Sequence, residues 1–384
     1  MTNSTAASTA VRPFTIDVPQ ADLDDLRDRL ARTRWVDELP GAGTDYGMPL
    51  ATVRALADHW QDSFDWRAQE AKLNELPHFV TEIDGEQIHF LHIRSPHADA
   101  LPLVMTHGWP KTFTELLALV GPLTDPVAHG GEAKDAFHVV IPSPPGYAFS
   151  GPTRSKGWNY PRIARAWDTL MKRLGYARYG AQGGDLGSLV GLALGRLAPE
   201  GLIGTHVMQI FAFPSGDPAE LEKLDEHDRA GERIGEDFMA KAGYHAMSSS
   251  RPNTIGTALN DSPAGTLAWL LELPTNWGET PLDQLDKDAL LTDVTIYWVT
   301  RTVASAARIY YEDAHSGEDW DANNPTPTGV AVFPWDFQSV RAFAERANTN
   351  IVHWKRMEYG SHFAAIDAPE LLVADLREFY GGLR

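Results

Sequence analysis

The apolar residues of this chain follow two rhythms, and the change between them near residue 101 organises it. Before that point the pattern is amphipathic. Asp22 to Trp35 places Leu23, Leu26 and Leu30 on one helical face, and a looser helical pattern runs from Leu50 to Asp62. Two short strands are predicted next, Phe79–Asp84 and Gln87–Ile93, joined through Gly85. From Leu101 onward, short continuous apolar runs appear instead, the pattern of strands buried on both faces. Predicted strands are Leu101–Thr106, Phe137–Ile141, Tyr179–Gln182, Ile203–Phe211, Gly329–Phe333 and Ile351–Lys355. Helices are predicted at Phe113–Val120, Tyr160–Leu174, Leu186–Leu197 and, closing the chain, Pro369–Tyr380. Strands alternating with helices imply right-handed crossovers and a mostly parallel sheet.

The alternation lapses between residues 213 and 300, where the chain is helical, charged in Glu220–Arg233, and broken by turn residues near Arg251–Asn253 and Ser262–Gly265. A helical insertion before the last strands of a parallel sheet is expected to form a lid over its C-terminal edge, where such sheets place their sites. The expected organisation is a disordered tail over 1–11 and an N-terminal region over 12–100. A catalytic core follows over 101–212 and 301–384, with the lid over 213–300.

A length of 384 residues suits one large α/β domain with insertions, and 43% hydrophobic with 22% charged residues is a globular composition. The formal net charge of −19 disfavours nucleic acid and anionic membrane surfaces as partners. The absence of cysteine excludes disulfides, thiolate metal sites and a cysteine nucleophile. The first ten residues are small and polar, unlike a secretory signal, and no run approaches the roughly 18 apolar residues of a membrane span. A soluble, cytoplasmic protein is expected.

Three motifs carry candidate chemistry. Gly183-Gly184-Asp185-Leu186-Gly187 lies between a predicted strand and a predicted helix, in the small-x-nucleophile-x-small form of a nucleophile elbow. A glycine-rich turn with Asp185 as helix N-cap is the alternative. The glycine spacing does not match a dinucleotide fingerprint, and no G-x-S-x-G occurs. His107-Gly108-Trp109-Pro110 ends the first strong apolar strand, where this kind of fold takes one oxyanion-hole N–H; the other comes from the residue after the nucleophile. That assigns the backbone N–H groups of Trp109 and Leu186. Either isomer is open to the Trp109–Pro110 bond. Finally, His362 in Gly360-Ser361-His362-Phe363 follows the last strand, and Asp336 in Phe333-Pro334-Trp335-Asp336 follows the one before it. Nucleophile, acid and histidine thus occur in the order of an α/β-hydrolase fold. Asp313, Asp319, Asp321 and Asp367 are rivals to Asp336; the first three sit in a polar stretch expected to be solvated, and helix capping accounts for Asp367.

A carboxylate nucleophile attacks an sp³ carbon and forms an alkyl ester, which His362, oriented by Asp336, can hydrolyse through an activated water. Epoxides and alkyl halides both suit this chemistry. An epoxide needs an acid for its leaving oxygen, and the insertion offers Tyr244 while the following helix offers Tyr310 and Tyr311.

With these motifs the chain resembles the microsomal-type epoxide hydrolases, including their soluble fungal and bacterial members, over everything after about residue 12. The matching motifs are His107-Gly-Trp-Pro, the Gly-Gly-Asp elbow and Arg251-Pro252 followed by Ala258-Leu-Asn-Asp-Ser-Pro263. Arg308-x-Tyr-Tyr-Glu312, Phe333-Pro-Trp-Asp336 and Gly360-Ser-His-Phe-Ala364 complete the set. The resemblance implies an N-terminal region wrapped around the core, Asp185 as nucleophile, His362 as base and Asp336 as its acid partner. It also implies Tyr244 and Tyr310 as the pair that activates the epoxide oxygen. Water is then the only co-substrate, and no metal or organic cofactor is expected. Relatives often dimerise, so a homodimer is the assembly the resemblance allows. Two positions depart from the family: Leu186 stands where Trp is frequent, and the acid is Asp where mammalian relatives carry Glu. The first departure weakens the alternative of a haloalkane dehalogenase, which uses that Trp to hold halide; a non-catalytic binding module on the same fold is the other alternative. The composition further resembles actinobacterial members, some of which act in polyketide and enediyne antibiotic assembly.

Overall fold

A computed structural model describes residues 9–222 and 224–384. Most of the tail expected over 1–11 therefore lies outside the described residues. Nine strands form one sheet in the order β1-β2-β3-β5-β4-β6-β7-β8-β9. They are β1 (Arg12–Pro13), β2 (His78–Ile83), β3 (Glu86–Ile93), β4 (Leu101–Thr106), β5 (Phe137–Pro142), β6 (Tyr179–Gly183), β7 (Leu202–Val207), β8 (Thr328–Val332) and β9 (Ile351–Arg356). From β5 to β9 every neighbour is parallel, as the continuous apolar runs require; β1, β2 and β3 extend the sheet antiparallel beyond β5. The β2–β3 hairpin turns through Asp84 and Gly85, at φ 52° and 81°, with Ile83 paired to Glu86. Two positive-φ residues are what a tight hairpin with right-handed strand twist demands.

Helices α1 (Gln20–Ala31), α2 (Leu50–Asp62) and α3 (Trp66–Leu73) precede the sheet. The first ends four residues before Trp35, and α3, capped by Asp65, is too short to have stood out as a periodic pattern. In the core, α4 (Leu117–Thr124) is entered through a 3-10 turn at Phe113–Leu116, and α5 (Tyr160–Arg173) and α6 (Leu186–Leu197) follow. The helical insertion comprises α7 (Pro218–Leu221), α8 (Glu226–Lys241), α9 (Gly243–Ser250), α10 (Pro252–Leu259), α11 (Pro263–Leu271) and α12 (Lys287–Thr300). The next helix, α13 (Val303–Ala314), packs on α9 and α10, so this layer continues beyond residue 300. After it come α14 (Arg341–Ala347), α15 (Ala364–Asp367) and α16 (Pro369–Gly381).

The N-terminal helices lie on the insertion: α1 and α2 against α11, and α2 and α3 against α12. Trp60 of α2 donates its indole N–H to Thr295 of α12 at 2.9 Å. With neighbours on all sides, α12 is buried continuously from Leu290 to Trp298, which is why it carries no amphipathic stripe.

Buried in α12, Asp293 reaches the loop after β4. It accepts from Lys111 Nζ at 3.2 Å, the Thr112 backbone N–H at 3.2 Å, and the hydroxyls of Thr112 and Thr114 at 2.6 Å each. Removing one partner of a buried pair leaves the other charge uncompensated. Asp293→Ala is expected to lower unfolding free energy by about 3–5 kcal/mol, read by denaturant melts; a loss under about 1 kcal/mol would mean the pair is solvated.

Candidate active site

The turn from β6 into α6 brings the backbone of Gly187 under Thr106 of β4. A Cβ on Gly187 would sit 2.0 Å from the Thr106 carbonyl oxygen, and one on Gly183 would sit 2.2 Å from Gly187. Only glycine fits either position. Between them Asp185 adopts φ 51° and ψ −119°, a conformation that L-residues rarely occupy. Its carboxylate makes no helix-capping bond. The N-cap alternative therefore fails: the N–H groups of Gly187 and Ser188 bond to the carbonyls of Gly184 and Asp185 instead.

The Asp185 carboxylate points across to the loop after β4. Its Oδ1 accepts the Trp109 backbone N–H at 2.9 Å, and the Leu186 N–H also favours its charged form. The Trp109–Pro110 peptide is cis. Its other oxygen, Oδ2, lies 3.5 Å from His362 Nε2. Behind the imidazole, Nδ1 donates to Asp336 Oδ1 at 2.7 Å. Asp336 and His362 occupy the loops after β8 and β9, so three residues far apart in sequence converge at the C-terminal edge of the sheet. Burial alone would lower the His362 pKa, but Asp336 and Asp185 on its two sides hold it well above the ordinary histidine value. Burial likewise pushes Asp185 up, and His362 with the two N–H groups outweighs this, leaving its pKa low. Both directions favour a carboxylate beside an imidazolium.

Over this pair sit two tyrosines from the helical insertion and the helix after it. Tyr244, near the start of α9, and Tyr310 of α13 pack edge to face with ring centroids 6.0 Å apart. Both contact the Trp109 ring, at 6.5 and 6.4 Å between centroids. Neither hydroxyl bonds to another group among the described residues. Burial, then the nearby Asp185 charge, raises both pKa values far above that of free tyrosine, so both keep their protons. Tyr311 turns away, half-exposed and stacked on His315. Phe238 of α8 lies over the His362 ring at 6.3 Å.

The rivals to Asp336 do not reach His362. Asp319 and Asp321 are exposed as expected. Asp313 is not solvated: it is partly buried with one carboxyl oxygen unpartnered among the described residues, and burial raises its pKa to about 7. Asp367 receives the Ser361 N–H, tying the base loop rather than capping α16.

Three polar residues at the site escaped the sequence. Gln209 was hidden because the run Ile203–Phe211 reads as one strand, whereas β7 stops at Val207. Beyond it the Met208 and Gln209 N–H groups turn to the Ser188 hydroxyl, and the Gln209 side chain enters the site. Tyr147 is fully buried close to Asp185, its hydroxyl unpartnered among the described residues. Glu115, also buried, accepts the Gly108 N–H at 3.3 Å. One group among the described residues has metal-ligand spacing, Asp225, His227 and Asp228. Its two carboxylates are committed to the cap of α8 and to Arg356.

Residues 11–116 match the family model described as the epoxide hydrolase N terminus. A Stigmatella aurantiaca protein provisionally named an epoxide hydrolase is 42% identical, over 97% of this chain and 86% of its own length. Epoxide hydrolase 1 of Sus scrofa is 33% identical over 98% of this chain and 90% of its own. The crystal structure of juvenile hormone epoxide hydrolase from the silkworm Bombyx mori superposes with a TM-score of 0.89 at 26% identity, covering 98% of this chain and 96% of that one.

Burial moves the Glu115 carboxyl from an ordinary value of 4.5 up to about 7. Between these values the folded protein holds a proton that the unfolded chain has released, so this group's contribution to stability falls as pH rises through the window. Glu115→Gln, which can still accept the Gly108 N–H, should therefore gain about 1–3 kcal/mol over the parent at pH 8 and little at pH 5. Thermal melts at both pH values check this; a difference independent of pH would contradict it.

Proposed function

This chain belongs to the microsomal-type epoxide hydrolase family, and we propose that it opens its epoxide through an ester on Asp185 that His362-activated water then cleaves. The observation that carries this reading is the split environment of one carboxylate. Oδ1 rests against the Trp109 N–H, while Oδ2 faces His362, and both Tyr244 and Tyr310 lie close enough to feel the Asp185 charge.

In the first half-reaction Oδ2 attacks an epoxide carbon, the C–O bond on the opposite face breaks, and the leaving oxygen takes a hydrogen bond or proton from Tyr244 or Tyr310. Their raised pKa values keep both hydroxyls as donors at any working pH. Oδ1 becomes the ester carbonyl oxygen, already seated at the N–H groups that stabilise negative charge when water adds to Cγ. Esterification also removes the Asp185 charge. His362 thereby loses one of its two anionic supports and its pKa falls; its Nε2 proton passes to the tyrosine that protonated the leaving oxygen, or to that oxygen itself where it took only a hydrogen bond, and the freed Nε2 then takes the proton of the attacking water. The tetrahedral intermediate collapses, the ester C–O bond breaks, His362 gives its proton to the departing diol, and the carboxyl left on Asp185 passes its own proton to His362, restoring the starting pair. Water is the only co-reactant in this sequence.

Among the described residues no helix is long and apolar enough to cross a membrane. The antibiotic-assembly setting is a separate proposal supported by composition alone. Polyketide genes beside this one would support it, and a xenobiotic-degradation cluster would overturn it.

Diol formation from a panel of aryl and alkyl terminal epoxides tests the nucleophile. Asp185→Ala is expected to lose more than about 10³-fold in turnover, and equal diol from both proteins would remove Asp185 from the mechanism. His362→Gln should stall at the ester, seen as a mass increase equal to the substrate. Tyr244→Phe and Tyr310→Phe should each slow ester formation by on the order of 10²-fold; unchanged ester formation in both would exclude them as donors.

A further inference from the structure

Gln209 is fully buried just past β7, and both ends of its carboxamide are committed. The Asp185 backbone N–H, which can only donate, lies 2.7 Å from Oε1. That fixes the amide: oxygen toward the elbow, nitrogen toward Asp336, whose Oδ2 accepts from Nε2. The Ser188 hydroxyl, 2.9 Å from the same Oε1, agrees with this orientation. Asp336 Oδ1 meanwhile accepts from His362 Nδ1 at 2.7 Å and from the Phe337 N–H at 2.6 Å. The contacts close on themselves. Asp185 backbone, Gln209, Asp336 and His362 form a ring that returns to the Asp185 carboxylate at 3.5 Å.

We propose that Gln209 is a positioning residue for the hydrolytic half-reaction, tying the strained elbow to Asp336 and limiting how tightly Asp336 holds the proton of His362. The inference rests on the ester mechanism above. A carboxylate that already receives an N–H on one oxygen is a weaker base on the other. After esterification this matters most, because Asp336 is then the one anion bonded to His362. The other groups facing this cluster carry little net charge: Glu115 is held partly protonated near neutrality, Lys111 is paired with Asp293, and Tyr244, near Asp336, stays neutral. Without the Gln209 donor, Asp336 would hold His362 as imidazolium to higher pH, and the ester would wait for its base.

The test separates the half-reactions by rapid quenching and intact mass, following ester formation and ester decay from pH 5 to 10. Gln209→Met keeps the length of the side chain without its donor or acceptor. Its ester decay is expected to slow by about tenfold at pH 7, with the pH limb of decay moved up by about one unit, while ester formation changes far less. A limb in its original place, whether decay is normal or both steps are slowed alike, would overturn the proposal. If that variant does not fold, Gln209→Glu serves, since a protonated carboxyl can make the same contacts. Its ionisation beside Asp336 should add an alkaline change to ester decay that the parent lacks, and a profile of parental shape would again overturn it. His362→Gln is run in parallel. No ester there defeats the ester mechanism and this inference with it, whereas an ester there with an unmoved limb for the Gln209 variants defeats the inference alone.

Discussion

Asp185 is held in a backbone conformation that costs on the order of 1–3 kcal/mol, and much of the surrounding architecture exists to hold it there. The strain is tolerated because the β6–α6 turn is over-determined. Gly187 lies in direct contact with the Thr106 carbonyl, the Ser188 hydroxyl accepts the Met208 and Gln209 N–H groups, and Gln209 receives the N–H of Asp185 itself. A relaxed residue at this position would follow the helix and direct its side chain along α6. The strained one lifts its carboxylate above the sheet edge, where the loops after β4, β8 and β9 can all reach it.

Once the carboxylate is there, electrostatics decides the rest. Two anions share one imidazole, and neither contact is redundant. In the proposed mechanism, both anions together favour His362 as a cation and Asp185 as an ionised nucleophile, and esterification of Asp185 leaves the same histidine poised as a base. In that mechanism the change of role follows from the charge that esterification removes. This places a demand on Asp336: it must orient the ring without binding its proton too strongly. A carboxylate that shares its charge with the Phe337 and Gln209 N–H groups meets that demand.

The parts of this design that the sequence reveals are those set by local patterns. Strands buried in a parallel sheet must be apolar throughout, so β4 to β9 stand out, and Asp185, Asp336 and His362 each follow a strand end where functional side chains collect. The elbow was readable because close packing tolerates only glycine at positions 183 and 187. What the sequence conceals is set by distant partners. Asp293 looks like any aspartate in a helix until Lys111, 182 residues earlier, is placed beside it. Gln209 looks like a polar interruption of a strand until the strand is seen to end two residues before it. The reach of the helical layer past residue 300 is concealed for a similar reason: α13 is joined to α9 and α10 by packing, with no break in pattern to mark it.

Those hidden contacts also explain why so large an N-terminal region accompanies the catalytic sheet. Helices α1, α2 and α3 pack on α11 and α12, and α12 carries the aspartate that bonds to residues 111, 112 and 114. That loop includes Trp109, whose N–H bonds to Asp185 and whose ring packs against Tyr244 and Tyr310. The same residue thus joins the floor of the site to its roof. The N-terminal layer thus bears, through α12 and residues 111–114, on the loop whose Trp109 ring packs against both tyrosines.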